Sequence, residues 1–266
     1  MYNISIISGF KLDVNFQTDI PCELYVDKIP YTPKNSIRVL WVLEPNEISG
    51  FRQSIIHNYN KFDLILTWDK EILSLCPNSK LFPFGTTWVK DFDITQQKEF
   101  CITTLIGGKT ISSGHLLRHK LFEKSKLITS IPVHIYNSIN TLFKESSELK
   151  QMKSSLLKNE LFYSQFHIVI ENVTSDNWFT EKLIDCFQTK TIPIYIGCDN
   201  IGNYFDLRGF FHVKSLDKMI DVCNTITPET YQNMLEYTNI NYEKSMNYHD
   251  YRKRLEDEVN LFISKN

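Results

Sequence analysis

The sequence predicts an α/β protein made of two Rossmann-like lobes with a cleft between them and helices at the C-terminal end. Three observations lead there. Short continuous apolar runs at 37–43 (IRVLWVL), 100–106 (FCITTLI) and 166–171 (FHIVIE) read as strands buried on both faces, the mark of a parallel sheet. Helical spacing stands between such runs, as a βαβ unit requires. The strand–helix pattern also restarts after the polar stretch 90–98. At about 150 residues per domain, 266 residues allow one large domain or two modest ones, and the restart favours two: 1–95 and 96–266.

In chain order, the strand at 37–43 is followed by apolar residues at helical spacing (Ile48, Phe51, Ile55, Ile56, Tyr59) and by a second strand at 62–67 (FDLILT). Residues 81–84 (LFPF), closed by Gly85, read as a strand end and turn. In the second lobe, strand 100–106 runs into a turn at Gly107 and Gly108, then a helix over 113–124 with a serine N-cap. A short strand is expected at 131–135, a strong one at 166–171, and a helix from about 179 to 188. Residues 191–196 (TIPIYI) form the next strand, ended by Gly197. From Ser215 the chain is mostly helical, with Leu255, Val259, Leu261 and Phe262 making an apolar stripe near the end.

Composition narrows the function. Hydrophobic residues make up 42% and charged residues 23%, which excludes disordered and fibrous classes. With 29 Lys+Arg against 31 Asp+Glu and no basic block, a dedicated nucleic-acid binder is disfavoured, because such proteins draw their affinity from phosphate neutralisation. Aromatic residues reach 13%, enough to pack two cores and still line a ring-binding cleft. The N-terminus lacks a basic leader region, and no run approaches the roughly 18 to 20 apolar residues of a membrane span. The six cysteines stand singly, with Cys101 and Cys186 inside apolar runs where a thiol acts as a small hydrophobe. A soluble, reduced, cytoplasmic protein is the expectation.

Several motifs fail on inspection. Residues 103–110 (TTLIGGKT) end like a phosphate loop, but Thr103 stands where the first glycine is required. No G-x-G-x-x-G dinucleotide fingerprint and no G-x-S-x-G elbow occurs. His115 and His119 have zinc-like spacing, but Leu116 replaces the glutamate of H-E-x-x-H and no third ligand is evident, so no metal site is predicted.

The informative segment is 166–213. A buried strand ends at Glu171-Asn172, a polar loop follows, and a helix opens with Thr180-Glu181-Lys182. In α/β folds ligands bind outside the carboxyl ends of strands, facing helix starts whose free N–H groups attract anions. Lys182 is a cation where the helix dipole disfavours one, a misfit that an incoming anion would resolve; the alternative is a solvated surface lysine.

This segment resembles the donor-binding motif of the family 10 glycosyltransferases, the α-1,3/4-fucosyltransferases. Glu171-Asn172, Trp178-Phe179-Thr180-Glu181-Lys182-Leu183 and the run 191–197 (TIPIYIG) match the family pattern in order and spacing, and Asn203-Tyr204-Phe205 and Phe210-Phe211 also fit. Weaker similarity extends over nearly all of the chain, through 62–69 (FDLILTWD), 41–46 (WVLEPN) and 114–118 (GHLLR). The resemblance implies the two-lobed GT-B fold, an acceptor-side lobe and a donor lobe, and inverting transfer of L-fucose from GDP-fucose to a glycan hydroxyl. It implies no resident cofactor or metal, although stimulation by a divalent cation stays open. The partners would be a nucleotide-sugar donor and an oligosaccharide or glycoconjugate acceptor.

By the same resemblance Glu44 is the base, with Glu47 as rival, and Arg118 and Lys182 contact the diphosphate. Thr180 belongs to the donor motif, Glu181 would accept from a sugar or ribose hydroxyl, and Asn172 would hold the ribose or base. Trp178 would stack on or wall off guanine, or else be a core tryptophan; Phe187 and Tyr195 read as core. The competing readings are a GT-B enzyme for another nucleotide sugar and an inactive glycan- or nucleotide-binding protein.

Overall fold

A computed structural model describes residues 1–9, 12–153 and 158–265 of the protein. The chain forms two compact units, one of Met1–Phe84, Asp176–Trp178 and Asp250–Asn266, the other of Gly85–Ser175 and Phe179–His249.

In the first unit a two-stranded antiparallel ribbon (β1, Tyr2–Asn3; β3, Gln17–Thr18) accompanies a five-stranded parallel sheet. The sheet runs β2 (Ser5–Ile7), β4 (Cys22–Val26), β5 (Ile37–Trp41), β6 (Leu64–Thr67), β7 (Ser79–Leu81) in spatial order. The expected strand at 37–43 is β5, and it is central: Val39, Leu40 and Trp41 are fully buried because sheet neighbours and both faces enclose them. The helical spacing at 48–59 yields two pieces, α1 (Asn46–Ser49) and α2 (Arg52–His57). Gly50 separates them at φ +68°, a left-handed conformation glycine takes without steric cost. A short helix α3 (Lys70–Leu75) is capped by Asp69, whose carboxylate accepts from the amides of Glu71 and Ile72 at 2.9 and 3.2 Å.

The second unit holds a six-stranded parallel sheet in the order β10 (Leu149–Gln151), β9 (Val133–Asn137), β8 (Glu99–Ile106), β11 (Ser164–Ile170), β12 (Ile192–Ile196), β13 (Phe211–His212). Side chains alternate between two apolar layers. Phe166, Ile168, Ile170, Ile192, Ile194 and Ile196 pack on one face, while Val169 and Tyr195 pack on the other with Phe179 and Phe187. Helices α4 (Ser113–Lys124), α5 (Glu181–Gln188), α6 (Leu216–Thr225) and α7 (Pro228–Ser245) complete it.

Two details differ from the sequence expectation. The boundary between the units lies at Phe84/Gly85 instead of 95/96. The last helix, α8 (Tyr251–Ile263), belongs to the first unit: Leu255 and Val259 are fully buried against Val39, Trp41, Leu64 and Leu66. Its apolar stripe has a partner there, which local periodicity alone does not reveal. Among the described residues no helix is long and apolar enough to cross a membrane.

Candidate active site

The second unit builds its site where β11 ends and α5 begins. Glu171 follows β11 and is 2% exposed, so an unpartnered carboxylate there would be costly. It is fully engaged. One oxygen accepts from the Thr180 amide and the other from the Thr180 hydroxyl, both at 2.8 Å. Thr180 is also the N-cap of α5, its hydroxyl oxygen accepting from the Lys182 amide at 3.3 Å and from Lys182 Nζ at 3.1 Å. Strand end, cap and first helical turn are thus one unit.

Lys182 sits between carboxylates, 3.2 Å from Glu181 and 3.7 Å from Glu171. Burial pulls its ammonium down, but Glu181 and Glu171 outweigh burial and hold it above its ordinary value. Glu181 shares a second cation, Lys158, at 3.5 Å. Burial pushes Glu181 up, yet Lys182 and Lys158 win, and its carboxyl lies well below the usual range. The misplaced lysine of the sequence is explained in part by these two acids, which offset the unfavourable dipole end.

From α4, Arg118 reaches across to the same strand end. Its guanidinium donates to the Ile170 carbonyl and, at 2.8 Å, to the Asn172 side-chain oxygen. This requires α4 to start hard against the strand end. The Gly114 amide donates to the Asn172 carbonyl at 3.0 Å, and a Cβ on Gly114 would stand 1.8 Å from the Glu171 carbonyl oxygen. Only glycine fits. His115 caps the helix, its Nδ1 accepting from the Ser112 amide at 3.2 Å and bonding the Ser112 hydroxyl at 2.6 Å. Burial, with Arg118 and Lys109 nearby, lowers it to about 4, so it is neutral. His119 donates to the Gly107 carbonyl at 2.9 Å. The zinc-like spacing is therefore taken up by capping and a loop contact, and among the described residues no three His, Cys, Asp or Glu side chains form a metal-holding group.

A cavity of about 250 Å³ opens over these elements. Arg118, Asn172 and Lys182 line it, joined by Lys109, His115 and the loop residues Ser138, Asn140 and Thr141, above an apolar floor of Leu105 and 168–170. Thr180 and Glu181 stand behind Lys182 and fix it. So five of the expected residues (Arg118, Asn172, Thr180, Glu181, Lys182) come together at one strand end and helix start in the second unit.

Trp178 is different. It lies among the first unit's residues, 3% exposed, with its ring 4.7 Å from Trp68 and 6.3 Å from Phe84. Its reading as a guanine-stacking side chain gives way to the alternative, a packed core tryptophan, because aromatic neighbours already enclose it. Glu44 is in the first unit, half-buried beyond Val42 and Leu43, which follow β5, whereas its rival Glu47 is on α1.

The structure adds residues that sequence reasoning missed. Asp185, one turn beyond Glu181, is fully buried at the cavity wall; one of its oxygens accepts from the Thr87 hydroxyl and the Trp88 amide, both at 2.7 Å. Burial pushes it up to about 6. Lys158 caps the Trp88 ring at 4.1 Å, and both line the cavity. Asp185 has i+4 spacing to Glu181, and Lys109 stands in the GGKT run that ends like a phosphate loop, while Trp88 and Lys158 carry no local signal.

Two parallel-stranded Rossmann-like units of this kind are those of the GT-B glycosyltransferases. Solved structures with this fold include an alpha1,3-fucosyltransferase with GDP, 18% identical, TM-score 0.52, covering 85% of this chain and 76% of that one. A pneumococcal O-GlcNAc transferase, GtfA, in complex with UDP and GlcNAc is 13% identical, TM-score 0.59, covering 91% of this chain and 57% of that one. The family model described as glycosyltransferase family 10 (fucosyltransferase), C-terminal, matches residues 109–265, more than half of the chain. The chain belongs to that family. A relative, alpha-(1,3)-fucosyltransferase FucT of Helicobacter pylori, is 35% identical over 95 residues, a match that takes in 34% of this chain and only 19% of FucT.

Proposed function

We propose that the protein is an inverting glycosyltransferase that moves L-fucose from GDP-fucose to a hydroxyl of a glycan acceptor. The observation that carries the reading is the cation pair Arg118 and Lys182 at one cavity wall, in a chain of the fucosyltransferase family. Arg118 offers a planar fork to two phosphate oxygens, and Lys182 a point charge beside the first turn of α5. Both would bind the diphosphate more strongly as charge develops on the departing GDP, which is the condition for catalysis by a binding group. Asn172 would hold the ribose or base, and Glu181 would accept from a sugar or ribose hydroxyl. Glu44 takes the proton of the acceptor hydroxyl, the acceptor oxygen forms its bond to the fucose anomeric carbon, and the bond to the diphosphate breaks with its electron pair leaving on GDP. Inversion follows from this single displacement. The charge on GDP is met by protein cations, so the reading calls for no resident metal. A cytoplasmic location goes with it, since all six cysteines are buried free thiols.

A second reading is transfer from a UDP-sugar, on the GT-B fold that the UDP-bound O-GlcNAc transferase shares. The two separate in one experiment. Melting temperature is recorded with GDP, GDP-fucose, UDP and UDP-GlcNAc, since a ligand of the native state stabilises by RT ln(1 + [L]/Kd). Transfer is then assayed across acceptors with linkage analysis of the product. Stabilisation by GDP and GDP-fucose together with fucosylated product is the expected result. A shift with UDP compounds alone selects the second reading, and no shift with any nucleotide removes both.

A further inference from the structure

We propose that Asp27 is the positioning residue of Glu44, and that its carboxylate sets the direction in which Glu44 leaves the sheet. The inference rests on the reading of Glu44 as base. Asp27 and Glu44 follow adjacent parallel strands: Val26 pairs with Trp41 in register, Asp27 comes directly after Val26, and Glu44 comes after Trp41, Val42 and Leu43. Asp27 is 8% exposed, and its two oxygens accept from two consecutive amides, Leu43 at 2.9 Å and Glu44 at 3.0 Å. Its own amide donates to the Trp41 carbonyl at 3.2 Å. Where it reaches both amides the backbone of Asp27 takes a φ of +48°, a left-handed conformation that aspartate tolerates better than most residues.

The rest of the segment is fixed by other groups. The Val42 amide donates to the Leu66 carbonyl at 2.9 Å, and the Trp68 indole N–H donates to the Leu43 carbonyl at 3.4 Å. Pro45 follows directly and disfavours the helical region for Glu44. The amide of Glu44 itself is held by Asp27. Burial pushes the Asp27 carboxyl up to about 6, and it holds both amides in spite of that desolvation. A carboxylate accepts both amides at once with two equivalent oxygens, so it locks the backbone in one orientation.

The test is a double-mutant cycle on transfer kinetics with Asp27→Ala, Asp27→Asn and Glu44→Gln. Loss of a group that places the base by a fraction of an ångström should lower kcat about 10- to 100-fold, with the KM for GDP-fucose within about twofold. Asp27→Asn retains one acceptor oxygen and should fall between Asp27→Ala and the parent. In the Glu44→Gln background, Asp27→Ala should change the residual kcat by less than about twofold, because it acts through the missing base. Equal losses in both backgrounds, or an Asp27→Ala enzyme with the parent's kcat, overturn the inference. If Asp27→Ala does not fold by circular dichroism, the Asp27→Asn cycle decides in the same way. A parent protein that transfers nothing from GDP-fucose, or a Glu44→Gln enzyme of full activity, sinks the reading underneath instead, and is recognised before Asp27 is changed.

Discussion

The two units hold their decisive side chains by opposite means. In the first, Glu44 is placed by its backbone: the Asp27 carboxylate grips its amide, and Pro45 restricts its rotation. In the second, the side chains hold one another by charge. Lys182 is shared by Glu171 and Glu181, Glu181 is shared by Lys182 and Lys158, and Arg118 is engaged by Ile170 and Asn172. The difference suits different tasks. Under the proposed function, a base has to keep one direction while its proton comes and goes, whereas cations that bind a diphosphate have to stay ordered before the anion arrives. An anion entering the cavity then competes with Glu171 and Glu181 for Lys182, and gains only the surplus.

The charge-held side of the contrast breaks most easily at Glu171. Glu171→Ala leaves the Thr180 amide and hydroxyl without their buried acceptor, and Lys182 with Glu181 as its remaining carboxylate. Removing one member of such a network should cost about 3–5 kcal/mol of stability, read from urea unfolding. Stabilisation by GDP should disappear with it. A Glu171→Ala protein that unfolds like the parent would show that Thr180 and Lys182 find water instead.

The first unit should lose stability by a different route. Leu255 is fully buried from α8 against β5 and β6, so Leu255→Ala opens a cavity and should cost about 2–5 kcal/mol. GDP should raise the melting temperature of this variant by the same increment as in the parent, because no group in the second unit's network is touched. A lost increment would contradict the separation of the two holding schemes.

Much of this arrangement was legible in the sequence where residues interact within one element or across one loop. The runs at 37–41 and 164–170 are strands because a strand buried on both faces carries such continuous apolar character. Thr180, Glu181 and Lys182 announce a helix start, and Arg118 lies in the helix after β8. What stayed hidden depends on contacts distant in sequence. Asp27 is one of several loop aspartates until its bonds to the Leu43 and Glu44 amides are known. Lys158 becomes a site residue only because the chain before β11 brings it to Glu181 and the Trp88 ring. Trp178 sits inside the most telling motif, but its surroundings, Trp68 and Phe84, come from a distant part of the chain. The stripe on α8 was visible, though its partner was not.

Acidification should weigh on the second unit through its buried histidines. In the second unit burial keeps His167 and His115 neutral, at about 3 and about 4. Unfolded, each titrates near 6.5, so below that pH the unfolded chain binds more protons and stability falls as the pH drops towards the folded values. The loss approaches about 1.4 kcal/mol per pH unit for each histidine. Asp185, pushed up to about 6, opposes them, because a carboxyl that protonates more readily when folded gains stability as the pH falls from about 6 towards about 4. The first unit has Asp27 on that gaining side. Melting temperatures between about pH 7 and about pH 5 should therefore fall for the parent and fall less for His167→Gln. An unchanged slope would mean that His167 is protonated when folded, despite its bond to Thr103 at 2.8 Å.

The smallest effect is expected on the outer face of α8, and it tests whether the charged face of α8 helps to hold the first unit. Lys253 faces Asp257 at 2.6 Å and Glu256 at 3.8 Å, both pairs open to solvent. Screening by water and salt, together with the rotamer freedom lost on pairing, cancels most of the attraction in such pairs. Lys253→Ala should melt with the parent, at low salt and high salt alike. A drop comparable to that of Leu255→Ala, abolished by salt, would mean that α8 is held by its charged face and not by the Leu255–Val259 stripe. The contrast between a backbone-and-core unit and a charge-held one would then fail at its simplest point.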